Sequence, residues 1–248
     1  MEDDARIAFI TGANRGIGRA AAHGLATAGL TVVIGSRRLE HGRAVATDIV
    51  RAGGEAMALT VDVRDQRSIA DATQEIDDRF GRLDVLVNNA GISGEVDAQT
   101  PGSADLDAVR DVFETNLFAV IAVTESMLPL LRRSPAGRIV NVSSGTSSMG
   151  WTSDATHYMS RSPGLLAYPT SKTALNMLTM QYAKSLAGDG IMVNAVAPGA
   201  CDTDFTAGIP GAITRTADEG AAVVARLATL GRESPTGGFF DDDGSVPW

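Results

Sequence analysis

Six short apolar runs, at 7–10, 31–34, 56–61, 85–87, 139–142 and 191–196, alternate along the chain with longer stretches of helical periodicity. The runs are short for helices, and the continuous apolar character of most of them suits parallel strands buried on both faces. The longer stretches lie near 17–28, 39–52, 68–80, 106–131, 166–186 and 217–230. Gly29, Gly53, Gly54, Gly81 and Gly188 stand at their ends, where helices commonly stop. Right-handed crossovers between such units predict an α/β fold, a doubly wound parallel β-sheet with helices on both faces. A sheet of that kind binds its ligand in the crevice beyond the carboxyl ends of its strands.

The 248 residues suit a single Rossmann-like domain over 1–248, and no repeat or low-complexity tract divides them. The composition, 44% hydrophobic and 21% charged, is that of a chain able to bury a sizeable core. A formal net charge of -9 opposes a general nucleic-acid surface, so any anion must be held by a local site. Acidic residues follow Met1, and the chain has no run of 18 or more apolar residues, which predicts no membrane span and a cytoplasmic address. Cys201 is the single cysteine, and His23, His41 and His157 show no ligand spacing with it, so no metal site is expected. Cys201 is read as a small buried thiol. The Ser-, Gly- and Thr-rich stretch 147–164 is read as a long loop at the substrate mouth.

The first predicted strand leads into Thr11-Gly12-Ala13-Asn14-Arg15-Gly16-Ile17-Gly18, where glycines permit a tight turn and close approach to a pyrophosphate at a helix N-terminus. The second strand ends Gly35-Ser36-Arg37-Arg38, without the acid that would bind the ribose 2′-hydroxyl of NAD. Ser36, Arg37 and Arg38, together with Arg15, instead suit the additional phosphate of NADP, so NADPH/NADP+ is the expected cofactor.

Tyr168-Pro169-Thr170-Ser171-Lys172 is similar to the tyrosine-three-residues-lysine motif of the short-chain dehydrogenase/reductase family, and helical spacing puts Tyr168 and Lys172 on one face. Hydride delivery to a carbonyl leaves an alkoxide that needs a proton; tyrosine can supply it, with a lysine ammonium and oxidised nicotinamide nearby lowering its pKa. Ser143 and Ser144 close the strand Arg138-Ile139-Val140-Asn141-Val142, and alternation lets only one of them point to a given face. The resemblance selects Ser144 as the group that holds the substrate oxygen. It also implies that Asn116, in Glu114-Thr115-Asn116-Leu117-Phe118, binds a water that relays protons toward Lys172. Asn88-Asn89-Ala90-Gly91 resembles the family segment that lines the cofactor, Asp62-Val63 the adenine-side contact, and Pro198-Gly199 with Thr203 the segment beside nicotinamide.

These matches run in the family's order from Thr11 to Thr203 and imply an NADPH-dependent oxidoreductase that reduces a small-molecule ketone or aldehyde. The tail from Pro235 to Trp248 resembles that of carbonyl-reductase-type members. The same chemistry serves an NADP-dependent alcohol dehydrogenase or a β-ketoacyl reductase, and a different reading is an NADPH-binding sensor. The interval from Ser144 to Tyr168 is long for the family; it contains Tyr158, which has Ser162 four places on instead of lysine. Residues 147–164 and about 200–215 are expected to shape the substrate pocket, with Met149, Trp151, Phe205 and Ile209 as apolar members suited to a hydrophobic or aromatic carbonyl compound. Family resemblance implies a homo-oligomer, a dimer or tetramer built on helices near Leu106 and Leu166, with a monomer as the outcome if the inserted loop blocks that face.

Overall fold

A computed structural model describes residues 5–207, 213–231 and 235–248. Its strands are β1 (Ile7–Ile10), β2 (Thr31–Ser36), β3 (Glu55–Thr60), β4 (Val85–Asn88), β5 (Arg138–Val142), β6 (Met192–Val196) and β7 (Phe239–Phe240). All join one parallel sheet in the order β3-β2-β1-β4-β5-β6-β7. The strand order reverses beside β1, where the chain crosses from the β2 side to β4, and such a switch point opens a crevice at the carboxyl edge.

The helices are α1 (Gly16–Thr27), α2 (Leu39–Arg51), α3 (Gln66–Phe80), α4 (Leu106–Phe113), α5 (Ala119–Leu131), α6 (Met149–Ser153), α7 (Tyr168–Leu186) and α8 (Ala217–Thr229). Period-two alternation divides the core between the two faces of the sheet. Ala8, Ile10, Val32 and Ile34 pack with Leu25 of α1, Ile49 of α2 and Val224 of α8. Ile7, Phe9, Val33 and Leu86 pack with Ile76 of α3, Met127 of α5 and Leu186 of α7. Burial of each large aliphatic side chain contributes about 1.5–3 kcal/mol, which offsets the ordering of the short strands.

Three features depart from the sequence expectations. The helix over 106–131 is interrupted at Glu114–Phe118 by a π-turn that contains the buried Asn116. The stretch 147–164 is not a structureless loop: it carries α6 and a 3-10 turn at Tyr158–Arg161, following another at Gly145–Ser147. The tail adds β7 and folds back on α6, with the Gly150 N–H donating to the Trp248 carbonyl and the Ser148 hydroxyl to that of Pro247. By length and mean hydropathy, Leu106–Leu131 could cross a membrane, but more than half of its most apolar window is buried within the protein.

A polar network fastens the middle of the sheet to the helices beneath it. Asn88 Nδ2 on β4 donates to Asn141 Oδ1 on β5 at 2.9 Å and to Thr124 on α5 at 3.1 Å, and Asn141 Nδ2 donates to Thr179 on α7 at 2.9 Å. All four residues are buried, so removal of one partner strands its neighbours away from water. Asn141→Ala is expected to lower the unfolding free energy by about 2–3 kcal/mol, measured by urea denaturation. A change below about 0.5 kcal/mol would mean that the network does not brace the sheet.

Candidate active site

A cavity of about 1230 Å³ opens along the carboxyl ends of the strands, from the tip of β2 to the residues after β7. It is lined by all the cofactor residues expected from sequence: Gly12, Asn14, Arg15, Gly16, Ile17, Gly18, Ser36, Arg37, Arg38, Asp62, Val63, Asn89, Ala90, Gly91, Tyr168, Lys172, Pro198, Gly199 and Thr203. Ser144 lines it as well, whereas Asn116 stands behind the wall.

The turn after β1 is shaped for close approach. Gly12 and Gly16 have φ of +64° and +54°, a region that costs glycine little and other residues more. A Cβ on Gly18 would lie 2.3 Å from Asn89 Nδ2 and 2.7 Å from the Gly12 carbonyl oxygen. Its absence lets Asn89 donate to the carbonyls of Thr11 and Gly12 at 2.9 and 3.2 Å, which fixes the turn against β4. No side chain caps the N-terminus of α1, whereas Asp65, Asp105 and Thr216 cap α3, α4 and α8. Uncapped N–H groups beside a cavity suit a pyrophosphate, so these residues fit the anionic centre of a dinucleotide.

Beyond β2, Arg37 and Arg38 are exposed at the cavity edge, and no ion pair joins either to a described carboxylate. The Ser36 hydroxyl donates to the Arg38 carbonyl at 2.9 Å and keeps its acceptor capacity. Arg15 points elsewhere: its guanidinium pairs with Asp204 at 2.8 Å, joining the turn after β1 to the segment after β6. Asp62, which lines the cavity, accepts the Arg64 N–H on Oδ1 at 3.0 Å.

At the far end, Ser143 and Ser144 separate as strand alternation requires. The Ser143 hydroxyl is buried and donates to Asn176 Oδ1 at 2.6 Å. Ser144 faces the cavity, where its hydroxyl shares a hydrogen bond with the Thr146 hydroxyl at 2.9 Å and acts on the Tyr168 phenol nearby. Lys172, one turn along α7, is buried; its Nζ donates to the Val142 carbonyl at 2.8 Å and lies 6.0 Å from the centroid of the Tyr168 ring. Burial pushes the Lys172 ammonium down to about 8 and the Tyr168 phenol up to about 12, with the neighbouring Ser144 hydroxyl opposing the latter in part. Among the protein's own groups, loss of solvent around the phenol outweighs the help it receives.

Asn116 is held by hydrogen bonds within the protein. Its Oδ1 accepts the Ile92 N–H at 2.9 Å, while Nδ2 donates to the Ile92 carbonyl at 2.9 Å and to the Ser171 hydroxyl at 3.1 Å. The amide therefore pins the segment after β4 to α7. Gly91 leaves a gap here that a Cβ would close, 3.1 Å from Asn116 Oδ1 and 3.4 Å from Lys172 Nζ. Cys201 is buried as expected, which pushes its thiol up.

Sequence reasoning missed Gln99. It is buried, its Oε1 accepts the Tyr168 backbone N–H at 2.8 Å, and Nε2 donates to the carbonyls of Ser93 and Glu95 at 2.8 and 3.0 Å. Its own carbonyl accepts the Leu166 N–H at 3.0 Å. Gln99 thus caps α7 from outside and ties Tyr168 to the segment after β4. No local pattern signals this bond, since the partners are 69 positions apart.

Residues 6–213 match the family model of the short chain dehydrogenases. The chain belongs to that family. Among its relatives, the short-chain dehydrogenase anuI of Penicillium roqueforti is 36% identical over 242 residues, which cover 96% of this chain and 94% of that one. The 3-oxoacyl-[acyl-carrier-protein] reductase of Synechocystis is 36% identical over 203 residues, 82% of this chain and 76% of that protein. The solved active-site complex of Pseudomonas aeruginosa RhlG with NADP aligns with a TM-score of 0.82 at 31% identity, covering 96% of this chain and 95% of that one. Short-chain dehydrogenases are oxidoreductases that use NAD(H) or NADP(H), and the seven-stranded sheet is their fold.

Within this short-chain dehydrogenase, Gln99 acts on Tyr168 through the helix start. Gln99→Met, which keeps the length and removes the amide, is expected to lower kcat by about tenfold with the cofactor Kd unchanged, as small misplacements of a reacting group cost rate. Steady-state kinetics with cofactor titration checks this; an unchanged kcat would remove Gln99 from the positioning of Tyr168.

Proposed function

We propose that the protein is an NADPH-dependent reductase that converts a ketone or aldehyde into an alcohol. The observation that carries this reading is a protonated phenol, Tyr168, beside Ser144 and near the buried Lys172 ammonium, at one end of a cavity whose other end presents Arg37 and Arg38, paired with no described carboxylate. Bound NADPH supplies the hydride that forms the new C–H bond. Ser144 donates a hydrogen bond to the carbonyl oxygen and polarises it. Tyr168 passes its proton to that oxygen as the C=O π bond opens, and the alcohol leaves with both new hydrogens. The Lys172 ammonium stabilises the resulting phenolate through a short, poorly solvated path. Asn116 holds the segment after β4 against α7, so it keeps Gly91 and Lys172 in register.

The choice of NADPH rests on Arg37 and Arg38, whose guanidiniums suit a ribose phosphate, with Ser36 beside them as a hydrogen-bonding neighbour. Gly12 to Gly18 and the α1 N-terminus receive the pyrophosphate in this reading, Asp62 and Val63 the adenine, and Asn89 to Gly91 with Pro198, Gly199 and Thr203 the nicotinamide side. NADP in the RhlG complex supports the assignment. A β-ketoacyl substrate is the second reading, favoured by relatives such as the Synechocystis reductase. The exposed Leu106, Phe118, Leu166 and Met177 on the layer of α4, α5 and α7 support a homo-oligomer built on that face.

The test is loss of absorbance at 340 nm when the protein meets NADPH or NADH with a panel of ketones and aldehydes. Turnover with NADPH is expected, and Tyr168→Phe should reduce it by at least about 100-fold while NADPH still binds. Arg37→Ala with Arg38→Ala should raise KM for NADPH by about tenfold or more and leave that for NADH nearly unchanged. Equal effects on the two cofactors would overturn the NADPH assignment, and near-normal turnover by Tyr168→Phe would overturn the mechanism.

A further inference from the structure

The Ser144–Tyr168 end of the cavity is walled by aromatic side chains. Gly145 follows Ser144 directly, and a Cβ there would meet Trp151 Cζ3 at 3.1 Å and Met159 Cε at 3.2 Å. The indole and the thioether therefore begin immediately beside the group that holds the substrate oxygen. Trp151 stacks on His157 with centroids 4.7 Å apart and planes 15° apart, and His157 is followed by Tyr158 at 4.7 Å. On the other side, Phe205 lies 5.6 Å from the Tyr168 ring. Tyr158 and Phe205 are 67% and 40% exposed, which leaves large apolar surfaces facing water at the mouth of a cleft.

Charge narrows the substrate further. The β2 end of the cavity carries Arg37 and Arg38, whereas the end beyond β6 and β7 carries Asp204, Asp241, Asp242 and Asp243. The guanidiniums lining that acidic end, Arg15 and Arg215, are already paired with Asp204 and Asp242. The remaining balance is negative, so an anionic group on the substrate meets like charge and no unpaired described arginine or lysine there.

Building on the proposed reductase activity, we infer that the substrate is an uncharged aromatic ketone or aldehyde, held flat between the Trp151–Met159 wall and Phe205. This excludes carboxylates and acyl groups carried on a phosphorylated arm. Aromatic rings attract one another in offset or tilted arrangements, and a flat ring placed here would cover the surfaces that are otherwise wet. Trp151 and Phe205 are then specificity-determining residues, and Tyr158 lies at the outer edge of the slot.

The experiment compares kcat/KM with NADPH for four probes: 2-acetylnaphthalene, 4-acetylbenzoate, 2-butanone and acetoacetyl-CoA. 2-Acetylnaphthalene is expected to exceed each of the others by about tenfold or more, as ring contacts and like-charge avoidance together allow. Trp151→Ala and Phe205→Ala should each raise KM for 2-acetylnaphthalene by about three- to tenfold more than they raise that for 2-butanone. Added salt should narrow the gap between 2-acetylnaphthalene and 4-acetylbenzoate, because it screens the acidic end. Preferred turnover of acetoacetyl-CoA, or equal turnover of 2-butanone, would overturn the inference while leaving the reductase intact. Turnover of none of the four, nor of any other carbonyl in the wider panel, would overturn the reductase reading itself.

Discussion

The Lys172 ammonium is buried where the sheet ends, and the arrangement of the site follows from keeping it there. A fall from the ordinary lysine value to about 8 corresponds to about 3 kcal/mol against the charged form at neutral pH. The Val142 carbonyl at 2.8 Å offsets part of this cost, and it is available because β5 ends as the chain turns to Ser143 and Ser144. The same strand end therefore delivers the lysine's acceptor and the serine that faces Tyr168. Below about pH 8 the penalty on the charged lysine is present in full; it is relieved as pH rises toward the value of an unfolded lysine. Lys172 thus spends stability to place charge near a phenol, as the proposed reductase chemistry requires.

Around this centre the fold supplies rigidity from several directions. Gln99 caps α7 at Tyr168, the Asn116 amide ties Ile92 to Ser171, and Asn141 joins β4 to α7 through Asn88 and Thr179. Each bond is buried or partly buried and links segments far apart in sequence. The cavity they frame is also polarised across the sheet, with Arg37 and Arg38 beyond β2 and a group of aspartates beyond β6 and β7. In the proposed reading, a charged cofactor phosphate and an uncharged substrate occupy opposite ends of one cleft.

Much of this was readable from the chain because most of the strands are buried on both faces, with β3 at the sheet edge only partly so. Continuous apolar runs located six of them, and the order of glycine-rich turn, strand-end arginines and tyrosine-lysine pair located both ends of the cleft. Strand alternation with the family resemblance distinguished Ser144 from Ser143. The unread parts depend on tertiary contact. β7 has two residues, too few for any period, and it exists through pairing with β6. The π-turn at Asn116 preserves an apolar pattern that reads as continuous helix, and the short helices of 149–153 and 158–161 are held by the folded-back tail and by aromatic stacking. Met149, an expected pocket residue, is 61% exposed and outside the cavity lining, and Ile209 lies outside the described residues. The upward displacement of Tyr168 was also hidden, since helical spacing reports the neighbouring lysine but not the loss of water around the phenol.

The central claim is that the buried Lys172 charge and Tyr168 work as one unit, and the most direct measurement is the pH dependence of kcat/KM for NADPH in the wild type and in Lys172→Met. This ratio reports ionisations of the free protein. The wild type should lose activity as pH rises through about 8, when Lys172 gives up its proton. Lys172→Met should be slower throughout and should lack that descending limb. A wild-type profile that stays level across pH 8, or a variant that keeps the same limb, would contradict the account.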